Sequence, residues 1–173
     1  MSAAAGIVIV GAGHGGVRAG ASLREEGYAG PITLVSDDAH APYQRPPLSK
    51  AFIKGEATAE SLILRGPAYY PEKQIDLRLG ERVSEIDRAA RIVRLGSGGS
   101  LAYEHLILAT GALPRPASFA GAELEGVLAL RDMDDAARLK AKLEVATHVV
   151  VIGAGFIGLE FAATAAIKGK DVQ

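Results

Sequence analysis

The sequence predicts an α/β chain: two βαβ units with parallel sheets, and between them a small β hairpin or meander. Two observations carry this. Short β-branched apolar runs occur at Gly6-Ile7-Val8-Ile9-Val10 and at His148-Val149-Val150-Val151-Ile152, and each passes directly into a glycine-spaced turn and then a helical stretch. Runs without polar alternation read as strands buried on both faces, the signature of parallel sheets. Glycine is also abundant, at 21 of 173 residues, against a usual share of about 7%.

The first run leads into Gly11-Ala12-Gly13-His14-Gly15-Gly16, and a helix is expected from about Val17 to Glu26, closed by Gly27. Ile32-Thr33-Leu34-Val35 then reads as a second buried strand, completing strand, turn, helix and strand within about 30 residues, the size of a βαβ unit. Pro42 to Pro47 is a proline-interrupted loop, and Pro46-Pro47 can open a short helix, because the first turn leaves its amide hydrogens unpaired in any case. Arg82 to Leu95 alternates as strand, turn and strand, with Gly96 to Ser100 as a hairpin turn. Leu106-Ile107-Leu108-Ala109 is expected as another buried strand, Gly111 to Pro116 as a linker, and Asp132 to Leu143 as a polar helix capped by Asp132. In the second unit the turn is Gly153-Ala154-Gly155-Phe156-Ile157-Gly158, the helix runs from Leu159 to Ile167, Gly169 ends it, and Asp171-Val172-Gln173 starts a strand.

Composition excludes several classes. Nineteen basic residues against 20 acidic ones leave a net charge of −1, which argues against a nucleic acid or an anionic membrane recognised through bulk charge. Arg78, Arg82, Arg88, Arg91 and Arg94 are interleaved with Glu81, Glu85 and Asp87, as on a solvated hairpin face. The sequence contains no cysteine, hence no disulfide framework, thiolate nucleophile or cysteine-ligated cluster, and no metal site is expected. Met1–Gly6 has no basic leader region, and no run reaches the ~18 apolar residues of a spanning helix. A cytoplasmic location is expected.

Both turns fit G-x-G-x-x-G, at Gly11, Gly13 and Gly16 and at Gly153, Gly155 and Gly158. Glycine-rich turns are common, but here each follows an apolar strand and opens a helix, which is the context that marks a Rossmann-like dinucleotide site. The helix N-terminus offers unpaired N–H groups and a positive dipole end to a pyrophosphate. An acid about 20 residues on binds a ribose hydroxyl. Asp37, beside Asp38, lies 21 residues past Gly16, whereas the second turn's equivalent would fall beyond Gln173. Two dinucleotide sites on one chain suggest a hydride donor and an acceptor, nicotinamide and flavin being the common pair. Glu160 sits one turn into the second helix among Phe156, Ile157, Leu159, Phe161 and Ala162, where a carboxylate is costly unless paired or used.

Pro42-Tyr43-Gln44-Arg45-Pro46-Pro47-Leu48-Ser49-Lys50 resembles the signature of the oxygenase-coupled FAD- and NAD-dependent ferredoxin reductases. Their kind includes putidaredoxin and rubredoxin reductases, within the pyridine nucleotide-disulfide oxidoreductase superfamily. Ala109-Thr110-Gly111-Ala112 and Gly153 to Glu160 look like further motifs of that family in the expected order. The resemblance implies a glutathione-reductase-like FAD/NAD(P)-binding fold. Residues 1–113 would be the first FAD-domain segment, 114–145 a linker with a polar helix, and 146–173 the start of an NAD(P)H domain, so that the chain looks truncated. It implies FAD over Gly11, Ala12, Gly13, His14 and Gly15, with Asp37 and Asp38 at the adenosine ribose and Val83 at the adenine. Arg45 and Arg131 would lie at the FAD, with Lys50 beside the isoalloxazine. NAD, in preference to NADP, would lie over Gly153, Gly155, Phe156, Ile157 and Gly158, with Glu160 reaching the carboxamide and pairing with Lys50. Lys50 and Glu160 are the catalytic pair that the resemblance implies. Electrons would pass to a [2Fe-2S] ferredoxin or a rubredoxin feeding a cytochrome P450 or other oxygenase. Another FAD-dependent NADH oxidoreductase, such as an NADH oxidase or a nitrite reductase flavin subunit, and a non-catalytic nucleotide-binding module or fragment are the alternatives.

Overall fold

A computed structural model describes residues 5–173, so the reading of Met1–Gly6 falls largely on residues 1–4, outside the described residues. The chain divides into two compact units, Met1–Tyr43 with Ile63–Ala112, and Gln44–Leu62 with Leu113–Gln173.

The first unit is built on one six-stranded sheet. Strand β1 (Gly6–Val10) is buried throughout, and helix α1 (His14–Glu25) follows it. Strand β2 (Ile32–Val35) pairs parallel to β1 with Ile7 opposite Ile32. Helix α1 begins three residues before the expected Val17, because Gly13 is already its N-cap. Gly27, at φ +85°, closes it: its N–H reaches the Arg24 carbonyl while the Tyr28 N–H reaches that of Leu23, the paired bonds of a Schellman cap.

Strand β3 (Ile75–Arg78) adds a further parallel edge beside β2. Strands β4 (Val83–Asp87) and β5 (Ile92–Leu95) form the expected antiparallel hairpin. Strand β6 (Ser100–Leu108) is nine residues long, antiparallel to β5 and parallel to β1. The order is therefore β3-β2-β1-β6-β5-β4, and the meander is continuous with the parallel sheet through β6. Two expectations are corrected here. The last strand starts six residues earlier than Leu106, since β5 offers it a second partner. It is also not fully buried: Leu108 is 60% exposed, because α1 packs over β1 and β2 rather than over β6. Ile9, Leu34 and Val35 are buried completely and centre the core.

Residues 109–132, which begin in the first unit and continue in the second, form a longer irregular segment than the Gly111–Pro116 linker. Pro114 and Pro116 lack amide donors, and Gly111, Gly121 and Gly126 hold positive φ. A 3₁₀ turn (Pro46–Ser49) opens with its two prolines, as expected, and short helix α2 (Ala51–Lys54) follows. Short helix α3 (Tyr69–Glu72) belongs to the first unit. Helix α4 (Met133–Val145) is capped by Asp132, whose side chain accepts from the Asp135 N–H while Asp135 accepts from the Asp132 N–H. This is a reciprocal capping box. Strand β7 is only His148–Val149, shorter than the expected His148–Ile152. Its partner β8 (Asp171–Val172) offers a ladder two residues wide, and Val150 and Ile152 are exposed. Helix α5 (Phe156–Ile167) lies between them in sequence and ends at Gly169, with φ +75°. Among the described residues no helix is long and apolar enough to cross a membrane.

Tyr70, on α3, is buried in the first unit's core against Tyr69 in an edge-on contact. Its hydroxyl has no hydrogen-bond partner among the described residues. Burial first, and Tyr69 second, push its ionisation up to about 12. A buried donor without an acceptor costs stability that its removal restores. Tyr70→Phe in the intact protein is therefore expected to keep or raise thermal stability, by about 1 kcal/mol, whereas Tyr70→Ala loses about 3–5 kcal/mol. Between about pH 10 and about 12 the folded chain retains a proton that the unfolded chain has released, so stability falls as pH rises there. Thermal melts across that range should show a shallower decline for Tyr70→Phe.

Candidate functional site

Steric fit accounts for two of the three glycines in the first turn. Gly11 has φ +105°, and a Cβ there would overlap the Ala109 carbonyl oxygen. A Cβ on Gly16 would overlap the Gly11 carbonyl oxygen and press on Leu34. The turn is drawn tight by the Gly11 N–H donating to Val35 O at 2.7 Å and the Ala109 N–H donating to Val10 O at 2.8 Å. Gly13 is different. It has φ −73°, which any residue adopts, and a Cβ there would meet nothing within 4 Å. Packing gives no reason for glycine at that position, and a ligand that must approach the backbone closely does.

The same division recurs in the second turn. Gly153 has φ +107°, Gly158 would place a Cβ 3.1 Å from the Gly153 oxygen, and Gly155 faces open space. Neither α1 nor α5 has a side-chain cap or an acidic residue in its first turn. The first intrahelical bonds run from Val17 N–H to Gly13 O and from Leu159 N–H to Gly155 O. The amides ahead of them have no acceptor within the helix, in contrast to α4, which its own aspartates close. Both turns therefore have the shape and polarity that a diphosphate requires.

Within the first unit, Ala12 is buried behind the turn, and His14 and Gly15 open α1 at the surface. Asp37 and Asp38 follow β2. Asp37 is exposed. Asp38 is engaged by its own loop: Oδ1 accepts from the His40 N–H at 3.0 Å and Oδ2 from the Tyr43 hydroxyl at 3.0 Å. Val83 starts β4, half-buried and opposite Leu95.

The second unit brings Arg45, Lys50, Arg131 and Glu160 together. With Ser49 and Phe156 they line a hollow of about 350 Å³, and Ile157 is also in its wall. Arg45 Nη1 donates to the Arg131 carbonyl at 2.8 Å, while the Arg131 N–H is held by Asp135 at 2.8 Å. The α4 capping box thus also fixes the backbone that receives Arg45. Lys50 Nζ lies 3.3 Å from Glu160 Oε1, and Ser49 Oγ donates to Glu160 Oε2 at 2.6 Å. The Ser49 bond is the chief cause holding the Glu160 carboxyl below its usual range; Lys50 adds to it and burial opposes it. Three cations against one carboxylate make the hollow a place for an anionic ligand.

Glu160 is paired, which is the condition the sequence sets for a carboxylate at this position. Its apolar neighbours on α5 do not enclose it, for Phe156 is 87% exposed and Ile157 and Leu159 are also exposed. The carboxylate is fixed by its partners instead. Nothing in the sequence singles out Ser49, although it lies inside the Pro42–Lys50 signature. The resemblance marks neighbouring Lys50, whereas a serine hydroxyl gives no signal until a carboxylate is found opposite it.

Comparison with known proteins decides the family. The description "pyridine nucleotide-disulphide oxidoreductase" matches residues 5–173. The chain belongs to that family. It is 48% identical over 166 residues to rhodocoxin reductase of Rhodococcus erythropolis, covering 96% of this chain and 39% of that protein. It is 45% identical to rubredoxin-NAD(+) reductase of Pseudomonas putida, covering 96% of this chain and 43% of that protein. The crystal structure of the ferredoxin reductase for the CYP199A2 system of Rhodopseudomonas palustris superposes with a TM-score of 0.94 at 46% identity, over 98% of this chain and 42% of that one. The chain thus spans about two fifths of the length of the relatives it matches, and the α/β architecture is that of the family.

The glycines give a direct test. Gly16→Ala forces a Cβ into backbone and is expected to cost about 3 kcal/mol or more. Gly13→Ala and Gly155→Ala meet no protein atom, so melting temperature should stay within about 2 °C of wild type. Binding of a diphosphate-bearing ligand at each turn, measured by calorimetry on the intact protein, should weaken at least about tenfold.

Proposed function

We propose that the chain forms the nucleotide-binding part of a cytoplasmic flavoprotein reductase. It takes hydride from NADH onto FAD and delivers single electrons to a [2Fe-2S] ferredoxin or a rubredoxin serving a cytochrome P450 or other oxygenase. The observation that carries this reading is the meeting of Lys50 and Glu160 at 3.3 Å in a cationic hollow whose wall includes the first residues of α5. The relatives named for rubredoxin, NAD(+) and a CYP199A2 system support the donor and the acceptor.

On this reading residues 1–113 are the first segment of the FAD domain, 114–145 a linker with a polar helix, and 146–173 the start of the NAD(P)H domain. FAD, when bound, supplies the exchange between two-electron and one-electron chemistry. The chain's own residues do the rest. Gly11, Ala12, Gly13, His14 and Gly15 hold its pyrophosphate through the amides the turn leaves open, the Gly11 N–H staying on Val35 O. Asp37 takes the ribose hydroxyls, with Asp38 keeping the loop in place through His40 and Tyr43. The backbone of Val83 reads the adenine. Arg45, with its planar fork, and Arg131 balance FAD phosphate charge. Lys50 places a positive charge where negative charge grows on the flavin ring as it is reduced. Gly153, Gly155, Phe156, Ile157 and Gly158 hold the nicotinamide dinucleotide, and Glu160 accepts from its carboxamide.

The test is stopped-flow reduction of the intact holoprotein by NADH, followed by steady-state reduction of a ferredoxin. Lys50→Met is expected to slow flavin reduction by about 10²-fold, the size of a lost charge-stabilising donor, with FAD still bound. Protein without absorbance near ~450 nm after FAD addition would sink the assignment. So would NADH oxidation that proceeds equally fast to oxygen with no iron–sulfur or rubredoxin acceptor present.

A further inference from the structure

Glu160 is held at two points, and the two are unequal. Ser49 Oγ donates to Oε2 at 2.6 Å, a short bond of the charge-assisted kind. Ser49 is buried and ends the 3₁₀ turn that Pro46 and Pro47 open, so its hydroxyl has one torsion on a stiff base. Lys50 Nζ lies farther off, 3.3 Å from Oε1, on a four-carbon stem whose side chain is 53% exposed. One contact is built into the turn, and the other is free to swing.

Resting on the reading given under Proposed function, we propose that Ser49 is a positioning residue for nicotinamide recognition. Its hydroxyl fixes Glu160 Oε2, so that Oε1 can exchange the Lys50 ammonium for the N–H of an incoming carboxamide while the carboxylate keeps its orientation. A neutral amide is a weaker partner than an ammonium, and the exchange succeeds only if it does not also cost the carboxylate its place. A serine anchored on the same turn as Lys50 meets that need without adding charge.

The same hydroxyl is the main reason Glu160 stays ionised below the ordinary carboxylate range. The charged groups near Glu160 on the elements packed against α5 are Arg45 and Lys50 flanking the 3₁₀ turn, Lys54 on α2 and Asp171 on β8, with Arg131 in the wall of the same hollow; Lys50 is the one paired with the carboxylate. The sign follows from the depressed value. The ionised clamp is present above the usual carboxylate range and is lost as pH falls through the lowered one. Without the serine hydroxyl that loss moves to higher pH.

The experiment uses the intact holoprotein with ¹³C-labelled glutamate. In Ser49→Ala the Glu160 carboxyl resonance should titrate at higher pH than in wild type. KM for NADH should rise about tenfold, as for loss of a hydrogen bond to a charged group, with kcat within about twofold and the flavin spectrum unchanged. Ser49→Thr, which restores the donor, should recover both values, and Ser49→Cys, a weaker donor of similar size, should fall between. An unmoved titration or an unmoved KM in Ser49→Ala overturns the proposal, as does Ser49→Thr behaving like Ser49→Ala. Glu160→Gln separates the two levels. If it leaves KM for NADH unchanged, the nicotinamide reading of the site falls; if it raises KM while Ser49→Ala does not, only the role of Ser49 falls.

Discussion

The tightest constraint in the first unit is the approach of a helix to the turn that precedes it. Gly16 and the Gly11 carbonyl stand so close that no side-chain carbon fits between them. That approach lets α1 start directly above the end of β1, with its unpaired amides gathered over one small surface. Four parallel strands set the base of this arrangement, since β3, β2, β1 and β6 run side by side and Gly11 is tied to the end of β2. The glycine spacing is thus a packing requirement at its outer positions and an open one at its centre. Sterics explain Gly11 and Gly16 and leave open space at Gly13.

Helix ends divide the second unit's labour in the same way. α4 satisfies its first amides through Asp132 and Asp135, and in doing so fixes the backbone at Arg131. α5 leaves its first amides open behind Gly155 and instead offers Glu160 one turn further on. A carboxylate near a helix N-terminus is favoured by the helix dipole, and here Ser49 and Lys50 add two further reasons for it to stay ionised.

Strong local signals made much of the fold legible. Unalternating β-branched runs gave β1 and β2 at their true limits, and proline pairs, glycine stops and the Asp132 cap marked helix ends correctly. Weaker signals failed for definable reasons. Ile75–Arg78 alternates polar and apolar residues over only four positions, too short to separate a strand from a loop, yet β2 recruits it as an edge. The sequence pattern shows only the end of β6, because residues such as Glu104 and His105 make the rest polar, and pairing with β5 overrides that pattern. Val150 to Ile152 has the composition of a strand but lacks a ladder long enough to use it. At the site, glycine spacing marks the turns, an apolar setting marks Glu160 and the family signature marks Lys50, while the buried hydroxyl of Ser49 becomes visible only through its partner.

Bulk charge and local charge carry different information about such a protein. A net charge of −1 would suggest indifference to anions, but screening confines electrostatic influence to about 8–10 Å at ordinary ionic strength. What an approaching anion meets locally is therefore the charge of the hollow and not the charge of the whole molecule. There, Arg45 and Lys50 from one short loop and Arg131 from the approach to α4 outnumber the single carboxylate of Glu160. That carboxylate is in turn committed to a serine and a lysine, so its ability to repel an anion is spent within the chain. A protein with little net charge can in this way present a positive site, because folding brings the two cations of one loop to a third from a distant stretch and pairs the one anion among them.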